Sequence, residues 1–309
     1  MPSTSVLEAI GNTPLVQLRS VVPDGAACIF VKLEYYNPTG SYKDRMALSS
    51  IEGAERAGKL RPGMRVVEYT GGSTGSSLAL VCAVKRYRFT PISSDAFARE
   101  KLDTMRALGG DLMLVPSDGG KITPELFARF EAAVAREVAD PEVFWVDQFH
   151  NPDVIEGYTP MGRELLAQLD GHIDAFCAAV GSGGMLVGVS RALKAGGSGA
   201  RVVALEPAES PLLTAGHGGA HRVEGVGVGF RPPHLQAGDY DEARTVKESA
   251  ARTMARRLAR EEGIFAGTST GLNVAAAVEL ALELGPDATV ATVAVDSGLK
   301  YLAGDLYTG

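Results

Sequence analysis

The chain has little with which to bind a metal or to cross-link itself. It has three cysteines, Cys28, Cys82 and Cys177, in 309 residues, each within an apolar run. They show neither metal-ligand spacing nor an even-numbered disulfide framework. Buried free thiols in a reducing compartment are the expectation. The five histidines form no cluster with them, so no metal site is expected. No apolar run approaches the length of a membrane span. Residues 1–5 lack the basic segment and apolar core of a secretory leader, so a cytoplasmic location is expected. With 30 basic and 37 acidic residues, the formal net charge is −7, and no basic stripe offers itself to nucleic acid. There is no nucleophile elbow, and no Ser-His-Asp order stands out.

What the chain does have is a regular alternation of strand and helix signals. Apolar runs predict strands at 29–33, 64–69, 89–92, 111–115, 175–180, 201–205 and 289–295. Helical spacing predicts helices at 73–85, 98–108, 124–138, 185–194, 248–262 and 272–284, with Pro124 near a first turn. This alternation implies an α/β fold with mainly parallel sheets. The units fall into two groups: a smaller domain at 40–145, and a larger one built from 146–309 that recruits 1–39. At 45% apolar residues, the composition supports a large buried core.

Several strand-to-helix turns carry the candidate chemistry. Lys43 closes the turn-forming stretch Asn37-Pro38-Thr39-Gly40-Ser41-Tyr42 and runs into the helical pattern Met46-Ala47-Leu48. A lysine held there with its amine desolvated is suited to imine chemistry, although most lysines are solvated surface charges. Gly181-Ser182-Gly183-Gly184 sits between a strand and the helix near Met185. Glycines let backbone N–H groups approach an anion, and a helix start favours negative charge. The spacing is not that of a dinucleotide fingerprint, and the lysine of a P-loop is absent. Thr70-Gly71-Gly72-Ser73-Thr74-Gly75 packs hydroxyls and glycines into one turn, suited to a carboxylate or to simple helix capping. Gly267-Thr268-Ser269-Thr270-Gly271 is a similar helix start. Gln148, soon after the only tryptophan, Trp145, can donate to a carboxylate or satisfy a loop. His150 is read as a surface or loop-bonded histidine.

Taken in order, these segments resemble one family nearly end to end. The likeness starts at Ile10-Gly11-Asn12-Thr13-Pro14-Leu15 and ends around Asp296-Ser297-Gly298-Leu299-Lys300-Tyr301-Leu302. It is the fold-type II, pyridoxal-phosphate-dependent family that contains cysteine synthase (O-acetylserine sulfhydrylase) and the catalytic domain of cystathionine β-synthase. The resemblance implies two three-layer α/β/α domains of the tryptophan synthase β type. Lys43 matches the lysine that forms the internal aldimine with pyridoxal 5'-phosphate. Gly181, Ser182, Gly183, Gly184 and Met185 match the cup for the cofactor phosphate, Met185 standing where a hydroxyl residue is common. Ser269 matches the residue that hydrogen-bonds the pyridine nitrogen. Thr70, Gly71, Ser73 and Thr74, helped by Gln148, match the loop that receives the substrate carboxylate. Gly225-Val226-Gly227-Val228-Gly229-Phe230 resembles the family's glycine-rich segment beside the active site.

The chain departs from the family pattern in two places. Ser73 stands where an asparagine usually contacts the cofactor's 3-hydroxyl. Gly40 and Tyr42 replace a serine and a smaller apolar residue, and Pro38-Thr39-Gly40-Ser41 is closer to threonine synthases and dehydratases of the same fold.

The activity implied is β-replacement on an activated serine (O-acetylserine or O-phosphoserine) through an α-aminoacrylate, with sulfide adding to give L-cysteine. Rival readings with the same cofactor are a cystathionine β-synthase-type condensation, a serine or threonine dehydratase, and a cysteine desulfhydrase. A cofactor-binding protein without efficient turnover is disfavoured by the intact Lys43, Ser269 and glycine turn. A nicotinamide-dependent dehydrogenase is disfavoured by the missing fingerprint. The resemblance also implies a homodimer, domain closure over a bound amino acid, and small-molecule partners rather than nucleic acid or membrane.

Overall fold

The computed structural model describes residues 2–120 and 123–308. In chain order its regular elements are β1 (Leu15–Gln17), β2 (Cys28–Leu33), α1 (Lys43–Arg56), β3 (Arg65–Tyr69), α2 (Ser73–Lys85), β4 (Arg88–Ser94), α3 (Arg99–Ala107), β5 (Met113–Val115), α4 (Pro124–Glu137), β6 (Val143–Trp145), α5 (Asp153–Gln168), β7 (Ala175–Ala179), α6 (Gly184–Ala195), β8 (Arg201–Pro207), α7 (Leu212–Ala215), β9 (Glu242–Val246), α8 (Glu248–Arg257), α9 (Thr268–Leu284) and β10 (Thr289–Ala294). The expected strands and helices all appear, most within two residues of the predicted ends. The helix expected at 248–262 leaves α geometry after Arg257 and finishes as a π turn, Leu258–Glu262, with Gly263 left-handed behind it.

The chain divides into two compact units, one of residues up to Ile10 with Lys43–Gly157, the other of Gly11–Tyr42 with the residues from Tyr158 onward. This differs from the expected division at 39/40 and 145/146, for physical reasons. Residues 40–42 are hydrogen-bonded to the chain after β10: Tyr42 N donates to Val295 O at 3.1 Å, and Ser297 N to Gly40 O at 3.0 Å. At the other boundary, Val146 N donates to Val67 O, and Asn151 Nδ2 to Val146 O. The N-terminal residues join the first unit because Leu7 packs on its core.

The first unit holds a four-stranded parallel sheet in the order β5-β4-β3-β6. Four successive residues of β3 are buried, so both faces of the sheet are covered. Its core joins Ile51 and Leu60 with Val66, Leu78, Val81 and Phe89. Helix α4 starts where Thr123 Oγ1 accepts the Leu126 N–H, with Pro124 in the first turn.

The second unit holds a six-stranded sheet in the order β1-β2-β10-β7-β8-β9. It is parallel except for β1, which pairs antiparallel with β2. The strands carry near-continuous apolar runs, as strands buried on both faces must. Here the motif near the start of the chain serves the fold. Lys32, 0% exposed, pairs with Glu164 at 2.7 Å and donates to Thr13 O at 2.6 Å. The Thr13 hydroxyl donates to Glu34, and Asn37 Oδ1 accepts the Gly11 N–H. A buried cation is tolerable only with such partners.

Candidate active site

In an open parallel sheet, ligands bind beyond the carboxyl ends of the strands, where strand order reverses. Each unit has one such point. In the first it lies between β3 and β6, since the chain runs β3, β4, β5 outward and returns with β6 on the other side. The turn 70–75 leaves β3 there, and the loop bearing Gln148 leaves β6.

That turn is internally tied. Thr70 Oγ1 accepts from Gly72 N and Gly75 N, both at 3.2 Å, and Thr70 O accepts from the Ser93 hydroxyl at 2.7 Å. The Thr74 hydroxyl donates to Gln148 Oε1 at 2.9 Å. The backbone N–H groups of Gly71 and Thr74 have no acceptor among the described residues. Open donors at and just before a helix start are suited to an anion. Ser73 opens α2. A Cβ on Gly71 would run into the ring of Phe97, so only glycine fits against that ring. Gln148 does something the sequence did not reveal. Its side-chain Nε2 donates to Tyr69 O at 3.2 Å and to Glu68 Oε1 at 3.3 Å, so its amide braces the turn. Lys43, 9% exposed, is the first residue of α1 in this unit.

In the second unit the reversal lies between β7 and β10. These strands pair only over Ala175–Phe176 and Val290–Ala291, then diverge. Asn273 of α9 fills the gap, accepting from Ala179 N at 2.8 Å and donating to Val293 O at 2.9 Å. The turn after β7 opens at this divergence. Gly183 has φ +85°, and a Cβ on Gly181 would run into the Gly225 carbonyl. The backbone N–H groups of Gly181, Ser182, Gly183, Gly184, Met185 and Leu186 have no acceptor among the described residues. The intrahelical bonds resume with Val187 N to Gly183 O. The Ser182 hydroxyl, in a buried residue, is likewise without a partner among them. A run of open donors at a helix start is suited to an anion.

The start of α9 sorts its three hydroxyls by use. Thr268 Oγ1 accepts from Glu224 N at 3.3 Å, and Thr270 Oγ1 from Val295 N at 3.0 Å. Ser269 lies between them, 1% exposed, and its hydroxyl has no partner among the described residues. The segment Gly225–Phe230 borders the anion turn through Gly227 N, which donates to Val180 O at 3.1 Å. The stretch 40–42, which leads into Lys43, is clamped to the residues beyond β10, with Ser41 bridged to Asp296.

The structure thus places Lys43, Thr70, Gly71, Ser73, Thr74 and Gln148 in the first unit, and Gly181 through Met185 with Ser269 in the second. Sequence reasoning missed Glu68. This carboxyl is fully buried in β3, and burial, with Asp147 adding to it, pushes its pKa up to about 8 against the pull of the Gln148 N–H donors. An acidic residue directly after the apolar pair Val66-Val67 was its only signal. His150 sits exposed, its Nδ1 2.9 Å from Asp147. No group of three or more His, Cys, Asp or Glu among the described residues could hold a metal ion. No helix among them is long and apolar enough to cross a membrane.

A family profile described as pyridoxal-phosphate dependent enzyme matches residues 6–296. A cysteine synthase of Staphylococcus aureus is 42% identical over 99% of this chain and 98% of its own length. Among solved structures, O-acetyl serine sulfhydrylase isoform 3 from Entamoeba histolytica superposes with a TM-score of 0.92 at 34% identity, covering 100% of this chain and 92% of that one. An O-ureido-L-serine synthase gives a TM-score of 0.92 at 36% identity, over 100% of this chain and 96% of that one.

Proposed function

The chain belongs to the pyridoxal-phosphate dependent enzyme family, and from that premise we propose a cysteine synthase, exchanging the β substituent of an activated serine for sulfide. The observation that carries this reading is the row of open N–H groups from Gly181 to Leu186, in the same unit as the buried, unengaged hydroxyl of Ser269. A phosphate fits the first, and a ring nitrogen wanting an uncharged donor fits the second. The residues present therefore fit pyridoxal phosphate. Lys43 would hold its aldehyde carbon, Gly181 to Met185 with Ser182 its phosphate, and Ser269 its pyridine nitrogen, with Ser73 near the 3-hydroxyl. Bound there, the cofactor supplies an electron sink for the pair left when a Cα proton is removed.

The rest of the chemistry belongs to this chain's residues. The turn 70–74, with open N–H groups at Gly71 and Thr74, receives the carboxylate of the amino acid and fixes which Cα bond is presented. Gln148 contributes by bracing Thr74. Displaced by the incoming amino group, the freed Lys43 amine takes the Cα proton as general base. The β substituent, acetate or phosphate, leaves with its bonding pair. Sulfide attacks Cβ through sulfur, and Lys43 returns the proton to Cα, so that L-cysteine departs.

A serine at 269 offers a hydroxyl without a fixed charge, which suits elimination, where charge leaves with the β group. A homodimer in the cytoplasm completes the reading. It is supported by the family resemblance and by three cysteines that are unpaired thiols.

The test is direct. The purified enzyme is expected to show visible absorption of a lysine-bound cofactor that changes on adding O-acetylserine or O-phosphoserine, and to release cysteine once sulfide is supplied. Lys43→Ala is expected to lose that band and at least about a thousandfold in turnover. Cystathionine from homocysteine, or a keto acid from serine or threonine, in preference to cysteine would replace this reading with one of its relatives.

A further inference from the structure

Glu68 lies near the end of β3, the strand from which the turn 70–74 leaves. The strand is central, between β4 and β6, and no part of Glu68 reaches solvent. A buried carboxyl must find partners, and both its oxygens meet the same residue. Oε2 lies 3.3 Å from Gln148 N, and Oε1 lies 3.3 Å from Gln148 Nε2. The same Nε2 reaches Tyr69 O at 3.2 Å. A carbonyl and a carboxyl on one side decide which way the amide faces: its NH2 turns to β3 and its oxygen to Thr74. The Thr74 hydroxyl must then point its proton at Gln148, which leaves the Thr74 backbone N–H as the open donor of that residue.

We propose that Glu68 is a positioning residue of the reaction, holding Gln148, and through it Thr74, in the orientation that receives the amino-acid carboxylate. This rests on reading the turn 70–74 as the carboxylate receiver. Glu68 does this best uncharged, because an ionised carboxyl beneath that turn would repel the anion the turn must bind. Its surroundings keep it so. Burial acts first. Asp147, on the loop after β6 and paired with His150, adds a like charge. Other ionisable groups on the strand and the elements packed around it include Tyr69, with Glu131 of α4 acting on it, and Arg65, whose charge is matched by Glu137 of α4; Asp44 of α1 is bonded by Ser77 of α2 at 2.6 Å. Below a pH of about 8 the carboxyl carries its proton; above it, charge appears under the turn. Substrate affinity therefore falls as the solution becomes alkaline.

The experiment measures kcat and KM for the activated serine between pH 6 and 9.5, in the loaded enzyme and in Glu68→Gln and Glu68→Ala. In the parent enzyme KM is expected to rise about tenfold across pH 8, one pKa unit of coupling, with kcat changing less. Glu68→Gln keeps one oxygen to accept from Gln148, gives up the other, and cannot ionise, so it is expected to flatten the KM profile even where its KM is uniformly higher. Glu68→Ala is expected to raise KM several-fold at every pH, and Glu68→Gln carries the test should the alanine variant fail to fold. A residue with only a structural role would lower thermal stability without altering the pH dependence of KM. A KM profile of Glu68→Gln that rises like the parent's overturns the proposal. Spectral titration with serine and with its carboxamide separates the premise from the inference. Equal affinity for the two in the parent enzyme overturns the carboxylate turn itself. Preference for the carboxylate together with an unaltered profile in Glu68→Gln overturns Glu68 alone.

Discussion

Ser269 differs from the threonines on either side in that nothing in the protein takes or offers its proton, among the described residues. Three hydroxyls in a row all look alike as N-cap chemistry. Two are spent on Glu224 and Val295, and the third has no partner among the described residues. Changing it to an acid tests what that hydroxyl is for. Ser269→Asp would place a fixed negative charge where a neutral donor stands and would hold a proton on the ring nitrogen opposite. The expected outcome is a slower β-replacement, with new transamination or racemisation products detectable by chiral amino-acid analysis. An unaltered product spectrum would remove this role from Ser269. Gln148 teaches the complementary lesson: an amide near a site can be committed to bracing its neighbours, here Glu68, Tyr69 and Thr74.

At the scale of elements, the two turns with open N–H groups are helix starts at the carboxyl ends of central strands, and their geometry depends on how the helices behind them pack. Helix α9 carries Ser269 near its start and Asn273 one turn later, so its position sets both the Ser269 hydroxyl and the opening between β7 and β10. It is seated against α8 by Gly271. A Cβ there would collide with the Ala251 carbonyl and lie 2.8 Å from Ala255 N. Gly271→Val is therefore expected to push the helices apart and cost about 1–3 kcal/mol, read as a lower urea midpoint. Because Ser269 moves with the helix, cofactor affinity should fall in the same variant. A variant with parental stability and affinity would show that the α8–α9 contact does not set the site.

Over the whole molecule, two sheets each present a reversal point, and the residues gathered there come from distant parts of the chain. The second sheet takes β2 from near the start of the sequence and sets it beside β10, the last strand. Local patterns cannot announce such a pairing. A ligand that binds only the folded protein stabilises it by mass action, about 2.7 kcal/mol at a hundredfold excess over its dissociation constant. Added pyridoxal phosphate is thus expected to raise the melting temperature of the apoprotein. Inorganic phosphate should do so more weakly, through the turn at 181–186 alone. Lys43→Ala should retain part of the shift, since the cup and Ser269 hold the cofactor without a covalent bond. No shift with either ligand would count against the cup.

Period and turn chemistry are local properties, and the sequence by itself determined the features that depend on them alone. Runs of β-branched and apolar residues set the strands, helical spacing set the helices, and their alternation set a parallel α/β fold. The ordered motifs from Ile10 to Leu302 set the family. Three things waited on the tertiary structure, because each depends on groups far apart in the chain. Residues 40–42 and 146–157 sorted to their units by bonds to Val295, Ser297 and Val67, moving both boundaries. Glu68 became an acid of altered strength only once β3 was buried on both faces beside Asp147. And of the many hydroxyls and N–H groups in glycine-rich turns, packing alone decided which were consumed by the fold and which were left open.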